Sequence, residues 1–346
     1  MKHRLSCLAL TVCLLMGIFS ACAPKTTKYS SYSMDYFDTV TTITGYAKSQ
    51  EEFDAVASDV LSQLAEYHRL YTIYHRYEGL ENLCTINELV DGAHRTVTVD
   101  RKIIDLLLYA RKMYDTTGGM TNVAMGSVLS LWHDHRTVGK DDPALASLPP
   151  MDRLQAAAAH TNLDNLVIDE AACTVTLMDP EMTLDVGAVA KGYATECIAR
   201  SLEEKGITGY VLNVGGNVRT IGTKPDGTPW TVGLENPEGG DYLAYLQLSG
   251  QSLVTSGSYQ RFYYVDGKAY HHIIHPDTLM PAQGFVSVSV ICSDSGLADA
   301  LSTALFCLPL EEGQALVASL PGAEALWLSE DGTQTVSSGW QTYVKE

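Results

Sequence analysis

A chain of 346 residues that is 46% hydrophobic can fill a sizeable globular core, which excludes full-length disorder. Its 23 basic residues against 41 acidic ones leave a formal net charge of −18, which excludes a protein that wraps duplex nucleic acid. An anionic ligand remains compatible with that charge, provided a few local groups, a helix N-terminus or a cation hold it.

The elements begin with an address. Lys2 and Arg4 precede an almost wholly apolar run from Leu8 to Phe19, and Ser20, Ala21 and Cys22 follow. That order predicts an export signal over residues 1–21, and the small residues before the cysteine predict a lipoprotein cut before Cys22. The run is short for a spanning helix, which needs about 20 residues. The expected location is the cell membrane, through a lipid on Cys22, facing outside the cytoplasm. Ordinary secretion and an uncleaved anchor are the alternatives. Residues 22–34 then read as a tether, and 35–346 as a single domain. Of the eight cysteines, five lie beyond Cys22. They show no C-x-x-C and no zinc-like spacing, so isolated core cysteines are expected, with one pair permitted by export.

Tyr36 to Tyr46, rich in β-branched and aromatic residues, predicts a first strand. Phe53, Val56, Val60, Leu61, Leu64 and Tyr67 recur at helical spacing, as do Ile103, Leu106, Leu107, Ala110 and Met113. Residues 96–99 read as a strand before the second helix, with Asp100 as its cap. Residues 137–150 read as a polar loop before a short helix at 151–160. Residues 174–178 alternate as a half-buried strand, with Val175 and Leu177 on one face.

Residues 185–199 read D-V-G-A-V-A-K-G-Y-A-T-E-C-I-A. Ala190, Ala194, Ile198 and Leu202 recur as one helical face after Gly187. The free amides of such a helix start suit a phosphate, and Lys191 adds a point charge one turn in; a plain packing device is the alternative. Residues 210–218, Y-V-L-N-V-G-G-N-V, run a strand into a Gly-Gly turn. It either presents amides to a ligand or simply bends between strands. Asp266 and Gly267 predict a hairpin turn. His271, His272 and His275 follow, but adjacent strand residues face opposite ways, so one histidine serving as acid or base is favoured over a zinc site. Residues 286–292 predict a strand and 297–305 an apolar helix. Asp299 and Thr303 share one face of that helix, as hard oxygen ligands suited to Mg²⁺. The alternative leaves Asp294 as a cap and Asp299 facing solvent.

These separated motifs, 185–193, 213–217, the Ser256-Gly257 segment, 272–276 and 298–303, together resemble the FAD:protein FMN transferase family, often called the ApbE family, over about residues 34–335. The resemblance implies an α+β, T-fold-like mixed body with a cofactor cleft. It implies transfer of FMN from FAD to a threonine hydroxyl through a phosphoester, with release of AMP. It also implies acceptors that are subunits of membrane redox complexes, such as sodium-pumping quinone reductases or related electron-transfer complexes. Carried over residue by residue, Asp299, Thr303 and the Ala188 carbonyl would bind Mg²⁺, and Asp185 and Lys191 would meet FAD. Phe37, Tyr74, Met120, Thr121, Asn122 and Ile274 would lie beside the nucleotide, and His272 would assist deprotonation of the acceptor. Phe37 stands where methionine is frequent, Asn122 and His275 where aspartate is, and residues 278–281 replace a Thr-Gly-x-Pro turn. An FAD pyrophosphatase and a flavin-binding surface lipoprotein are the competing functions.

Overall fold

Eight strands, numbered here along the main sheet, are Thr27–Tyr36 (β1), Thr39–Ala47 (β2), Tyr210–Val214 (β3), Asn217–Ile221 (β4), Ser252–Gly257 (β5), Phe285–Cys292 (β6), Glu324–Ser329 (β7) and Gln334–Val336 (β8). They neighbour one another in chain order and every pairing is antiparallel. The sheet is therefore a meander, and everything else is inserted between its strands. The computed structural model describes residues 26–88 and 96–345. The export signal and Cys22 lie outside the described residues. Among the described residues, no helix is long and apolar enough to cross a membrane.

The helices are Gln50–Tyr71 (α1), Leu83–Asn87 (α2), Arg101–Thr116 (α3), Gly126–Asp141 (α4), Met151–Ala158 (α5), Ala190–Glu204 (α6), Ser295–Cys307 (α7) and Leu310–Ser319 (α8). In α1, Phe53, Ala57, Val60, Leu64 and Tyr67 form the buried stripe, and Ser49 caps it by accepting the Glu52 amide at 3.2 Å. That stripe, with those of α3 and α6, packs on β2 and β3 in the largest core. Further along, α7 and α8 pack on one face of β6 and β7 around Phe306 and Trp327. The opposite face is covered by the hairpin of Trp230–Leu234 and Ala244–Leu248. Burial on both faces explains why β6 is apolar or small at almost every position.

Three expectations change. Residues 27–34 are strand rather than tether, because β1 pairs along nearly all of β2 and Tyr29 packs on the Phe53 ring at 5.6 Å. The folded body thus begins near residue 27, not 35. Residues 137–141 are the end of α4, not loop. The described buried residues of α4 are only Gly126, Val128, Trp132 and Gly139, too sparse a stripe to read from periodicity; the helix stops just before Pro143. Finally, α6 starts at Ala190, so Lys191 is in its first turn rather than one turn in. The hairpin at Asp266-Gly267 forms as expected, and Gly215-Gly216, for which the sequence allows two readings, also joins paired strands, with positive φ at all four residues.

Candidate active site

Four segments converge on one cleft of about 620 Å³, counted with its open mouth. The β1–β2 turn supplies Phe37 and Asp38. The end of α1 supplies His68 and Tyr71, and the chain beyond it Tyr74. The loop into α6 supplies Asp185 to Gly187, then Ala190 and Lys191. Arg261, just before the Phe262–Val265 strand, closes the far side.

The loop into α6 is tied down at both ends. The Asp185 amide donates to the Val123 carbonyl at 2.8 Å, and the Asp185 carboxylate accepts the Gly187 amide at 2.8 Å. Burial pushes the Asp185 carboxyl above its ordinary range, while the Gly187 amide, His133, Arg136 and Arg261 pull it back. Behind Tyr74 stands His133, ring to ring at 5.3 Å, and Arg136 donates to His133 Nδ1 at 3.0 Å.

Beside the cleft, α6 crosses α7. Any Cβ at Gly192 would sit 2.3 Å from the Ser295 carbonyl oxygen and 2.4 Å from Asp299 Cβ, so glycine is what allows the contact. The freed Gly192 amide donates to Asp299 Oδ2 at 2.8 Å, and Lys191 Nζ lies 3.8 Å from Oδ1. A buried ion group locks the crossing. Glu196 of α6 accepts Arg219 of β4 at 3.0 Å and the Ser295 amide of α7 at 2.9 Å.

Asp299 is 4% exposed, and burial raises its carboxyl despite Lys191, the Gly192 amide and Asn217. Its partners leave the charge under-compensated. Nearby, Asn217 Oδ1 is enclosed without a hydrogen-bond partner among the described residues. Thr303, one turn on from Asp299, is half-buried, with one long contact to Ser256 Oγ at 3.4 Å. The Asp299 carboxylate, the Thr303 hydroxyl and the Asn217 amide oxygen are hard oxygen donors, of the chemistry that suits magnesium. The Lys191 ammonium also reaches the Gly187 carbonyl at 3.5 Å.

His272 follows the Lys268–His271 strand. Its Nδ1 is enclosed without a partner among the described residues. Burial first, then Arg261, Arg136, His271 and Lys191, pull its pKa down to about 3. His271 is engaged elsewhere, its Nε2 against the Ala282 carbonyl at 2.8 Å.

Of the residues expected from the sequence, Phe37, Tyr74, Asp185 and Lys191 line the cleft, whereas Asp299, Thr303 and His272 lie outside its lining, Asp299 being joined to it through Lys191. Ala188 is half-buried in the loop between Gly187 and α6. Met120, Thr121, Asn122 and Ile274 are not on the cleft wall. Thr121 Oγ1 donates to the Ala300 carbonyl at 2.9 Å. Asn122 caps the turn at 123–125 and donates to the Thr161 carbonyl at 3.0 Å. Met120 packs against the α7 core, and Ile274 against the Trp132 core. The Gly-Gly turn resolves as a bend, because the Gly215 amide donates to Val40 and the Gly216 amide to Asn213. Asp294 does cap α7, accepting the Leu297 amide at 3.0 Å, yet Asp299 is buried as well. Sequence reasoning missed Asp38, His68, Arg261 and Gly192. Arg261 lies only four residues beyond the Ser256-Gly257 motif; nothing local marks His68, which sits among polar residues of α1.

The ApbE family model matches residues 37–327. An FAD:protein FMN transferase of Klebsiella pneumoniae is 32% identical over 292 residues, spanning 82% of this chain and 85% of that protein. One from Treponema pallidum is 30% identical over 344 residues, spanning 95% and 92%. The crystal structure of the ApbE protein of Thermotoga maritima superposes with a TM-score of 0.79 at 26% identity, over 92% of this chain and all 100% of that one. The flavin transferase ApbE of Vibrio cholerae shares the fold, with a TM-score of 0.74 at 21% identity over 92% and 100%. The mixed α/β body is the architecture of these structures.

Proposed function

The chain belongs to the ApbE family, and on that premise we propose that, as an FAD:protein FMN transferase, it moves FMN from FAD to a threonine hydroxyl of an acceptor protein and releases AMP. The threonine Oγ bonds to the phosphorus of the FMN half. The bond from that phosphorus to the bridging diphosphate oxygen breaks, and AMP leaves with the electron pair. The observation that carries this reading is the buried Asp299 carboxylate, held against the first turn of α6 with Lys191 reaching from it into the cleft.

Asp299, Thr303 and the Ala188 carbonyl would hold magnesium, which when bound supplies positive charge to the diphosphate and its leaving oxygen. Lys191 attracts the same diphosphate, while the Ala190, Gly192 and Tyr193 amides of the first turn are already engaged within the protein. Phe37 and Tyr74 offer aromatic faces to the flavin. His272 is neutral at physiological pH, and its Nε2 takes the proton of the attacking hydroxyl. Burial, and after it Arg261, Arg136 and Lys191, weaken His272 as a base. The anionic diphosphate of a bound donor offsets the part due to the three cations.

The proposed acceptors are threonine-bearing subunits of membrane redox complexes, such as a sodium-pumping quinone reductase. The residue order before Cys22 supports a lipid anchor that holds the enzyme at the membrane, outside the cytoplasm, where such subunits are exposed. The test incubates residues 23–346 with FAD, Mg²⁺ and a threonine-bearing acceptor. The acceptor should gain the mass of FMN less one water while AMP appears. Free FMN with an acceptor of unchanged mass would overturn the transfer reading in favour of hydrolysis.

A further inference from the structure

The β1–β2 turn is two residues long, since Tyr36 pairs with Thr39. Both of its central residues are left-handed, Phe37 at φ 55° and Asp38 at φ 50°. A turn of this kind selects for Asn and Gly, and a bulky aromatic there is held against its own preference. What holds it comes from another element. The Phe37 amide donates to Nδ1 of His68, on the last turn of α1, at 3.2 Å. The two rings meet edge to face at 5.7 Å, and Tyr36 lies against the same imidazole at 6.2 Å.

From this geometry we infer that His68 is a positioning residue for donor binding: it pins the strained turn so that Phe37 forms a preset wall of the cleft. The inference rests on the reading of the cleft as the FAD site. An Nδ1 that accepts an amide hydrogen carries no proton, so the imidazole must be the neutral tautomer with its hydrogen on Nε2. A protonated His68 would present Nδ1–H to the Phe37 N–H, and the bond would be lost. Burial favours the neutral ring, as does His75, while Asp38 on the turn opposes them. Across the cleft stand Asp185, Lys191 and Arg261, with Tyr71 on the same helix.

The experiment measures FAD affinity by quenching of flavin fluorescence, with KM and kcat alongside, in the wild type, His68→Ala, His68→Asn and His68→Gln. Asparagine places an acceptor oxygen near the Nδ1 position, whereas glutamine places its amide near Nε2. His68→Ala should raise the Kd for FAD about tenfold, roughly what one hydrogen bond in a preorganised wall is worth, with the change in KM rather than kcat. His68→Asn should recover most of the affinity and His68→Gln little of it. Amide exchange at Phe37 reports the pin directly: it should quicken in His68→Ala and slow again in His68→Asn, at unchanged melting temperature. Equal affinity in the wild type and His68→Ala would overturn the inference, as would His68→Gln recovering affinity better than His68→Asn. A wild type that binds no FAD would instead overturn the reading of the cleft.

Discussion

The two sides of the cleft solve the same problem, fixing a side chain in place, by opposite means. At the α6–α7 side, Gly192 lets two helices close on each other, and Asp299 is buried where solvent cannot compete. At the β1–β2 side, a hairpin turn carries Phe37 and Asp38 in a backbone conformation that costs about 1–2 kcal/mol per residue, restrained from α1 by His68. One wall is rigid through packing and the other through a single tether. Losses at the first should therefore fall on chemistry and stability, and losses at the second on binding.

The largest effect tests that division at Asp299. Asp299→Asn keeps the shape and removes the charge, so transfer should fall about 100-fold or more, the scale of disrupted metal sites. Because burial raises this carboxyl, its ionisation works against the apo fold as pH rises from the unfolded value toward the folded-state one. The apo variant should therefore melt no lower than wild type at pH 7, and the rise in melting temperature that Mg²⁺ gives wild type should disappear. Unimpaired transfer by Asp299→Asn, or with magnesium chelated, would remove the metal role.

Next comes the lock behind that wall. Arg219 is paired with Glu196 at 3.0 Å, both side chains almost wholly buried. Arg219→Met should cost about 3 kcal/mol, the lower end for breaking a buried pair, because Glu196 keeps the exposed Arg200 at 2.8 Å; urea unfolding measures it. A smaller loss is expected at Gly192→Ala, where the added methyl must push α6 off α7: about 1–3 kcal/mol, with transfer falling further than FAD affinity does. If FAD affinity fell while transfer at saturation held, the two sides would not be separate in function.

The subtlest effect is electrostatic. His272 should stay neutral in the empty enzyme down to about pH 3. The unfolded chain takes up that proton near the ordinary histidine value of about 6.5, so this group's contribution to stability is complete above that pH and is lost as pH falls toward 3. FAD should raise the His272 pKa by offsetting Arg261, Arg136 and Lys191, which ring-proton NMR would follow. Titration of the apo enzyme near the ordinary histidine value would show that the ring is neither desolvated nor faced by those cations.

Much was legible in the chain itself. Local patterns determined the α1 and α3 stripes, the two Gly-bearing hairpin turns, the caps at Asp100 and Asp294, and the pairing of Asp299 with Thr303 on one helical face, because each depends on residues within a turn or two of one another. Tertiary structure alone decided the rest. Thr27–Tyr36 became a strand only because β2 was there to pair with it, and α4 formed with too sparse a stripe to announce itself. Asp38, His68 and Arg261 joined one cleft from three distant segments. Gly192 became indispensable only once Ser295 and Asp299 were brought against it from about a hundred residues away. A side chain's partner across such a gap is set by how helices and strands pack, and no periodicity along the chain records it.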